Sequence, residues 1–408
     1  MENIELKSIY QANLPDIKLK ISKNTSDILA KFAGTYTIPH GCHVGIEYEI
    51  EHCEDTNGDN YGTVEREVVN HLWNITNDGS LRDVGLEFVS KPVAGDNIRT
   101  AIESLEFVLQ HRYSRSRPSH RTGIHVHVNA NDLNTSQLFG WMALYQVFER
   151  ALYQFSGKRE KNIYCLPTWA WSKNQDVALG MLYHTPRDAA IYMGTNSHKY
   201  AGMNTLPLFE KGTLEFRQMH TTKEFNKIGL WVEFLTKIKL YAANNVRDQK
   251  TLEEFYLHLS ELNTSSEYTQ LAMQVFGNNG QQLCIPGQWE KGAAEGVIQV
   301  KESYVRYLRG KAEKPKTKTK PPAPVDMDDE DAPPNPGVVF DPDPALFDLN
   351  GRYNPGRLAA LRNAAVRTWA TLSPGERNTV RNVLMMPPGT KLRRGAAAVY
   401  ATTLIITF

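Results

Sequence analysis

Glutamate and histidine recur at alternate positions in four short segments that are otherwise apolar, the pattern of a strand with one buried face and one chemical face. In Val44-Gly45-Ile46-Glu47-Tyr48-Glu49-Ile50-Glu51, side chains alternate along an extended backbone. Val44, Ile46, Tyr48 and Ile50 therefore point one way, and Glu47, Glu49 and Glu51 the other. Neighbouring carboxylates on that face stand roughly 7 Å apart, a crowding of like charge that water or a cation must offset. Gly123-Ile124-His125-Val126-His127-Val128-Asn129 puts His125, His127 and Asn129 on its polar face. Imidazoles two apart on a strand can reach one cation, although a hydrogen-bonded pair satisfies the same pattern. Thr213-Leu214-Glu215-Phe216-Arg217 presents Glu215 beside Arg217, which forms a simple ion pair or holds a metal and a phosphate together. The fourth segment opens with the turn Asp78-Gly79-Ser80-Leu81 and runs to Gly85-Leu86-Glu87-Phe88-Val89, with Glu87 opposite Leu86 and Phe88.

Each segment alone is compatible with a wet surface strand. Four with the same two faces suggest one concave acidic site. Glutamates with a minority of histidines and no cysteine partners select hard or borderline divalent ions, Mg²⁺ or Mn²⁺, over structural zinc, and carboxylate-held Mg²⁺ usually serves phosphate chemistry. No Walker loop and no G-x-G-x-x-G is present, so neither a P-loop nor a Rossmann domain is available to hold a nucleotide. Cys42 and Cys53, with His43 and His52 beside them, could be read as a zinc pair. There is no C-x2-C, however, and free thiols beside a strand fit better. Four cysteines, Cys42, Cys53, Cys165 and Cys284, are too scattered for a disulfide framework.

The elements that must position these residues fill the first three quarters of the chain. Helical periodicity over 97–111, 135–155 and 224–244 alternates with strand patterns, which predicts an α+β domain over 1–310 with one sheet and its covering helices on one side. Composition then changes. Residues 311–345 hold nine prolines, with a lysine block followed by an acidic block, and read as an extended linker. Residues 346–408 read as a small, mostly helical module with nine Lys/Arg against Asp348 and Glu376. The whole chain of 408 residues carries 46 Lys plus Arg against 45 Asp plus Glu, so no bulk charge points to nucleic acid or to an anionic membrane. No apolar run approaches a membrane span, and residues 1–20 lack the basic-then-apolar order of a secretory signal, so a cytoplasmic location is expected. The arginine-rich stretch His111 to Arg117 reads as a solvated loop, and Trp169, Trp171 and Trp231 as core.

Five blocks in order resemble the amidoligases, carboxylate-amine ligases related in fold to glutamine synthetase and glutamate-cysteine ligase. They are Gly45-Ile46-Glu47-Tyr48-Glu49; Asp78-Gly79-Ser80-Leu81 with Gly85 through Pro92; Thr122-Gly123-Ile124-His125-Val126-His127-Val128; Arg159 with Asn162-Ile163-Tyr164-Cys165; and Asn204-Thr205-Leu206 leading to Thr213 through Arg217. The resemblance implies a glutamine-synthetase-like antiparallel sheet with a concave acidic face. It also implies metal ligands at Glu47, Glu49, Glu87, His125, His127 and Glu215, a phosphate-binding arginine at Arg217, and polar residues near the nucleotide or substrate at Arg159, Asn162 and Asn204. Glu215, Arg217 and Glu49 are the expected catalytic residues, with ATP and Mg²⁺ or Mn²⁺ as cofactors. Ser197-His198-Lys199-Tyr200 departs from the family, whose members often carry an arginine before the position of Asn204.

The expected activity is ATP-dependent joining of a carboxylate to an amine through an acyl phosphate. The expected acid and amine are small molecules, peptides or protein side chains. The alternative is an inactive ligase scaffold of a virion, such as that of a phage, or of another assembly, working through 346–408 on protein or nucleic acid. A metal-dependent phosphohydrolase is a third reading. Relatives of glutamine synthetase often form oligomers that complete the site between subunits.

Overall fold

The computed structural model describes residues 14, 17–56, 61–170, 180–182 and 200–313. The chain divides into two units, Met1–Lys316 and Thr317–Phe408, and every described residue belongs to the first. The expected linker and C-terminal module therefore lie outside the described residues, except that Lys311 to Glu313 close the last helix, Trp289–Glu313. Trp171 and Ser197 to Lys199 lie outside them as well.

One mixed α/β layer arrangement accounts for the described residues. Seven strands form an open, antiparallel sheet: β1 (His43–Ile50), β2 (Trp73–Asn77), β3 (Leu86–Ser90), β4 (Val93–Ala94), β5 (Gly123–Asn129), β6 (Met203–Asn204) and β7 (Thr213–His220). The order is β2-β3-β1-β5-β7-β6, with β4 paired to β1. The strands carrying the chemical residues, β3, β1, β5 and β7, are thus adjacent, with β1 and β5 at the centre.

Alternation does what it predicts on the apolar side. Val44, Ile46, Tyr48 and Ile50 of β1 join Phe88, Ile124, Val126, Val128, Leu214 and Phe216 in one buried core, each contributing about 1.5–3 kcal/mol by leaving water. Helices Asp96–His111, Thr135–Phe155 and Phe225–Asn245 cover that face, matching the three expected spans to within a residue at each end. Trp141 and Tyr145 pack on Phe216 with ring centroids 5.7 and 5.4 Å away, and Phe225 stacks on Tyr48. A capping box of Asn134 with Gln137 starts the helix Thr135–Phe155 by satisfying backbone donors that have no intrahelical partner.

Residues 249–313 add three long helices, Gln249–Glu261, Ser265–Phe276 and Trp289–Glu313. The last lies against Thr135–Phe155 at a close crossing. A Cβ on Gly296 would stand 2.4 Å from the carbonyl oxygen of Gln146, so only glycine permits the approach. Trp289 stacks on Phe148 beside it. All four cysteines are buried thiols, and Trp231 is core as expected. Trp169 packs edge-on to Tyr153 with the Arg150 guanidinium over its ring. Among the described residues no helix is long and apolar enough to cross a membrane.

Candidate active site

Register decides which of the alternating residues meet. Glu47 of β1 stands directly across from His125 of β5, Glu49 from Glu87 of β3, and His127 from Glu215 of β7. Asn204 of β6 stands across from Glu215. Directly paired residues have Cβ atoms about 4.5–5.5 Å apart, within reach of one ion. The polar face therefore gathers its charges in three facing pairs across four strands.

Two groups of potential ligands result. The ligand atoms of Glu47, His125 and Glu215 lie within 4.8 Å of one another, and so do those of Glu49, Asp78 and Glu87. In the first group, His125 Nδ1 is 3.1 Å from Glu47 Oε2 and 3.7 Å from Glu215 Oε1. His127 Nε2 reaches Glu47 Oε1 at 3.1 Å, while its Nδ1 lies 3.0 Å from the Thr213 hydroxyl, which fixes the ring. Glu215 is buried between Asn204 Nδ2, which donates to its Oε2 at 2.6 Å, and the Arg217 guanidinium, which pairs with its Oε1. Arg217 Nε also donates to the Tyr164 carbonyl at 3.4 Å. Lys211, in the turn before β7, brings Nζ to 4.0 Å from Glu47 Oε1.

In the second group, the Gly123 backbone N–H donates to Glu49 Oε2 at 2.7 Å. Asp78 sits in the turn predicted from Asp78-Gly79-Ser80-Leu81, where the Ser80 N–H donates to its Oδ1 at 2.8 Å. A Cβ at Gly123 would stand 2.9 Å from Arg159 Nη1 and 3.1 Å from His125 Nε2, so the glycine lets the histidine and the arginine approach from either side.

The two groups differ electrostatically. Burial pushes the Glu47 carboxyl up, but hydrogen bonds from His125 and His127 outweigh it and hold the group well below the usual carboxylate range. Burial likewise opposes ionisation of Glu215, and Arg217 with the two histidines overcomes it. Glu87 has only the charge of His125 to lower it, the smallest of the influences on it. Burial first, then the charges of Glu47, Glu49 and Asp78, push its carboxyl up to about 7. At an effective dielectric of about 20, two charges about 4.8 Å apart repel by roughly 3 kcal/mol, so three ionised carboxylates there call for a cation. The all-oxygen set suits Mg²⁺ or Mn²⁺, and the carboxylate–imidazole set suits Mn²⁺ or another borderline divalent ion. The donor chemistry thus fits the divalent metal that the resemblance implies.

The remaining expected residues divide. Asn204 belongs to the site through Glu215, and its Oδ1 accepts from Leu206 N–H at 3.0 Å. Arg159 is buried with Nη1 donating to the carbonyls of Met219 at 3.0 Å and Arg217 at 3.5 Å, so it braces the backbone of β7. Asn162 ties His120 O and Tyr164 N together. Glu51, third on the polar face by alternation, is carried past the end of β1 and accepts from Arg82 N–H at 2.9 Å, away from both groups. The His111 to Arg117 stretch is held by ion pairs of Arg112 with Asp55 and Glu65 and of Arg115 with Glu54. Asp78, Thr213 and Lys211 escape the alternation argument, because the first and last lie in turns and the contact of Thr213 with His127 depends on register.

Residues 42–239 match the family model described as "Putative amidoligase enzyme". This segment is similar to the amidoligase family that the order of its motifs suggests. It spans β1 through most of the helix Phe225–Asn245, and so contains every ligand candidate and Arg217. That description names a ligase activity. No curated protein matches the chain.

Proposed function

We propose that the acidic face is the active site of an ATP-dependent carboxylate-amine ligase working through an acyl phosphate on a glutamine-synthetase-like scaffold. The observation that carries this reading is the register-matched convergence of Glu47, Glu49, Glu87, His125 and Glu215 beside Arg217, within the segment similar to the amidoligase family.

Divalent ions held by Glu47, His125 and Glu215 and by Glu49, Asp78 and Glu87 would act as Lewis acids and screen the repulsion between two anionic substrates. The chain's own groups do the rest. Arg217, oriented by Glu215 and the Tyr164 carbonyl, carries positive charge to the phosphoryl group in transfer. Asn204 and Thr213 fix Glu215 and His127, so the ligand face is organised before substrates arrive. The substrate carboxylate attacks the γ-phosphorus of ATP and ADP leaves. The amine then attacks the carbonyl carbon of the acyl phosphate, phosphate leaves, and the amine loses a proton. No protein nucleophile is required.

Hydroxylamine tests this reading, because it intercepts an acyl phosphate whatever the natural amine is. Purified chain with ATP, Mg²⁺ and hydroxylamine, offered amino acids, peptides and proteins, should form an acid-dependent hydroxamate with ADP, and Glu215→Gln should abolish both. A Glu215→Gln protein that turns over at the parent rate would remove the assignment, and phosphate release with no amine or acid present would favour a phosphohydrolase.

A further inference from the structure

Behind β7, on the side of the sheet that the helix Thr135–Phe155 covers, lies a buried set of hydrogen-bonding groups that the proposed chemistry leaves unused. Glu149 of that helix is fully buried. Its carboxylate accepts from the Tyr145 hydroxyl at 2.9 Å, from the Thr168 backbone N–H at 3.0 Å and from the Thr168 hydroxyl. The Tyr145 hydroxyl accepts in turn from Gln218 Nε2. Gln218 is also fully buried, and its Oε1 has no partner among the described residues. Burying a carboxyl and an amide is costly even when most of their bonds are made, and apolar side chains of similar volume would hold the helix to the sheet at least as firmly. A cost of this kind inside a core is expected where function requires it.

Both ends of the set finish at Arg217. Gln218 follows it in a bulge of β7: Phe216 pairs with Val126 and Met219 with Ile124, so Arg217 and Gln218 together oppose the single residue His125. A bulge re-aims a side chain, and here the bond from Gln218 to Tyr145 ties its second residue down. At the other end, Thr168 closes the segment that brings the Tyr164 carbonyl to Arg217 Nε at 3.4 Å. Within that segment the Leu166 N–H donates to the Tyr200 carbonyl, and the Leu166 carbonyl accepts from the Gly202 N–H, each at 2.7 Å. The Gly202 carbonyl then accepts from the backbone N–H of Arg217 at 2.8 Å.

We propose that Glu149 is a positioning residue for Arg217, a role that rests on the reading of Arg217 as the cation facing the phosphoryl group. Through Tyr145 and Gln218 it fixes the bulge from which the arginine side chain leaves. Through Thr168 it fixes the segment whose carbonyl orients the guanidinium.

Two measurements on the full chain test this. The first needs no turnover: hydrogen exchange of the Arg217 Nε–H, followed by NMR of the protein labelled with ¹⁵N-arginine and assigned from the signal missing in Arg217→Lys. Exchange should speed up about tenfold or more in Glu149→Gln and in Tyr145→Phe. It should stay at the parent rate in Val147→Ala, which opens a cavity on the side of the same helix that meets Gly296. The second is hydroxamate formation, where Glu149→Gln and Tyr145→Phe should lower kcat about tenfold with a smaller change in the KM for ATP, and where Glu149→Gln should cost nothing further in an Arg217→Ala background. Unchanged exchange in Glu149→Gln and Tyr145→Phe, equally fast exchange in Val147→Ala, or a full additional loss in the Arg217→Ala background would each overturn the proposal. A parent chain that forms no hydroxamate would remove the ligase reading instead, and the exchange rates would still decide whether Glu149 holds Arg217.

Discussion

Glu87 is the most direct probe of the crowded acidic face, and replacing it by glutamine should stabilise the metal-free protein. Burial and three neighbouring carboxylates push the Glu87 carboxyl up to about 7, well above the usual carboxylate range. A group whose folded-state value is raised holds its proton more tightly when folded. Its favourable contribution is intact below the unfolded value and is lost as pH climbs through about 7. Taken whole, that difference would be on the order of 3 kcal/mol. Glu87 is only half-buried, and solvent screening reduces the figure to about 1–2 kcal/mol. In EDTA at pH 8, Glu87→Gln should therefore unfold at higher urea than the parent by an amount worth about 1–2 kcal/mol, and at pH 4.5 the two should coincide. Adding Mg²⁺ at pH 8 should reverse the order, because the parent gains a ligated ion and the variant loses a ligand. If Glu87→Gln is the less stable protein in EDTA at pH 8, or if Mg²⁺ stabilises both equally, the repulsion argument and the Glu49–Asp78–Glu87 metal group fail together.

Three further outcomes follow from the geometry. Glu149 is fully buried in the helix Thr135–Phe155, where burial pushes its carboxyl up to about 7 against hydrogen bonds from Thr168 and Tyr145. Stability should fall as pH rises from about 4.5 to 7, and Glu149→Gln should flatten that slope by on the order of 3 kcal/mol, as read by urea melts across the range. Gly123→Ala should displace His125 and Arg159 and weaken Mn²⁺ binding about tenfold or more while the fold persists by circular dichroism, whereas unchanged Mn²⁺ affinity would contradict the close approach. Thr213→Val and Asn204→Leu each free a ligand residue from its anchor and should lower kcat about 10–100-fold with smaller effects on the KM for ATP. A change in KM alone would assign these side chains to binding instead of organisation.

The alternation of Glu and His with apolar residues identifies β1, β3, β5 and β7 and assigns their faces, because a strand has only two. It does not supply the register, and register is what pairs Glu47 with His125 while leaving Glu51 apart. Short strands escape for a related reason. β4 and β6 are two residues long, too brief for any period to show, yet β6 places Asn204 on Glu215. β2, at the sheet edge, has exposed polar positions and little apolar alternation. Asp78 and Lys211 reach the site from turns, where spacing says nothing about direction. The helices after residue 248 carried legible start signals, Asp248 with Thr251 and Thr264 with Glu267, which form capping boxes. Their packing on Thr135–Phe155 required tertiary contacts to see.

The central claim is that the acidic face activates a carboxylate by phosphorylating it, and oxygen transfer tests this most directly. With the acid identified by hydroxamate formation and labelled with ¹⁸O in its carboxylate, turnover with ATP, Mg²⁺ and amine should release inorganic phosphate carrying one labelled oxygen. Amide formation with unlabelled phosphate would contradict the acyl-phosphate route.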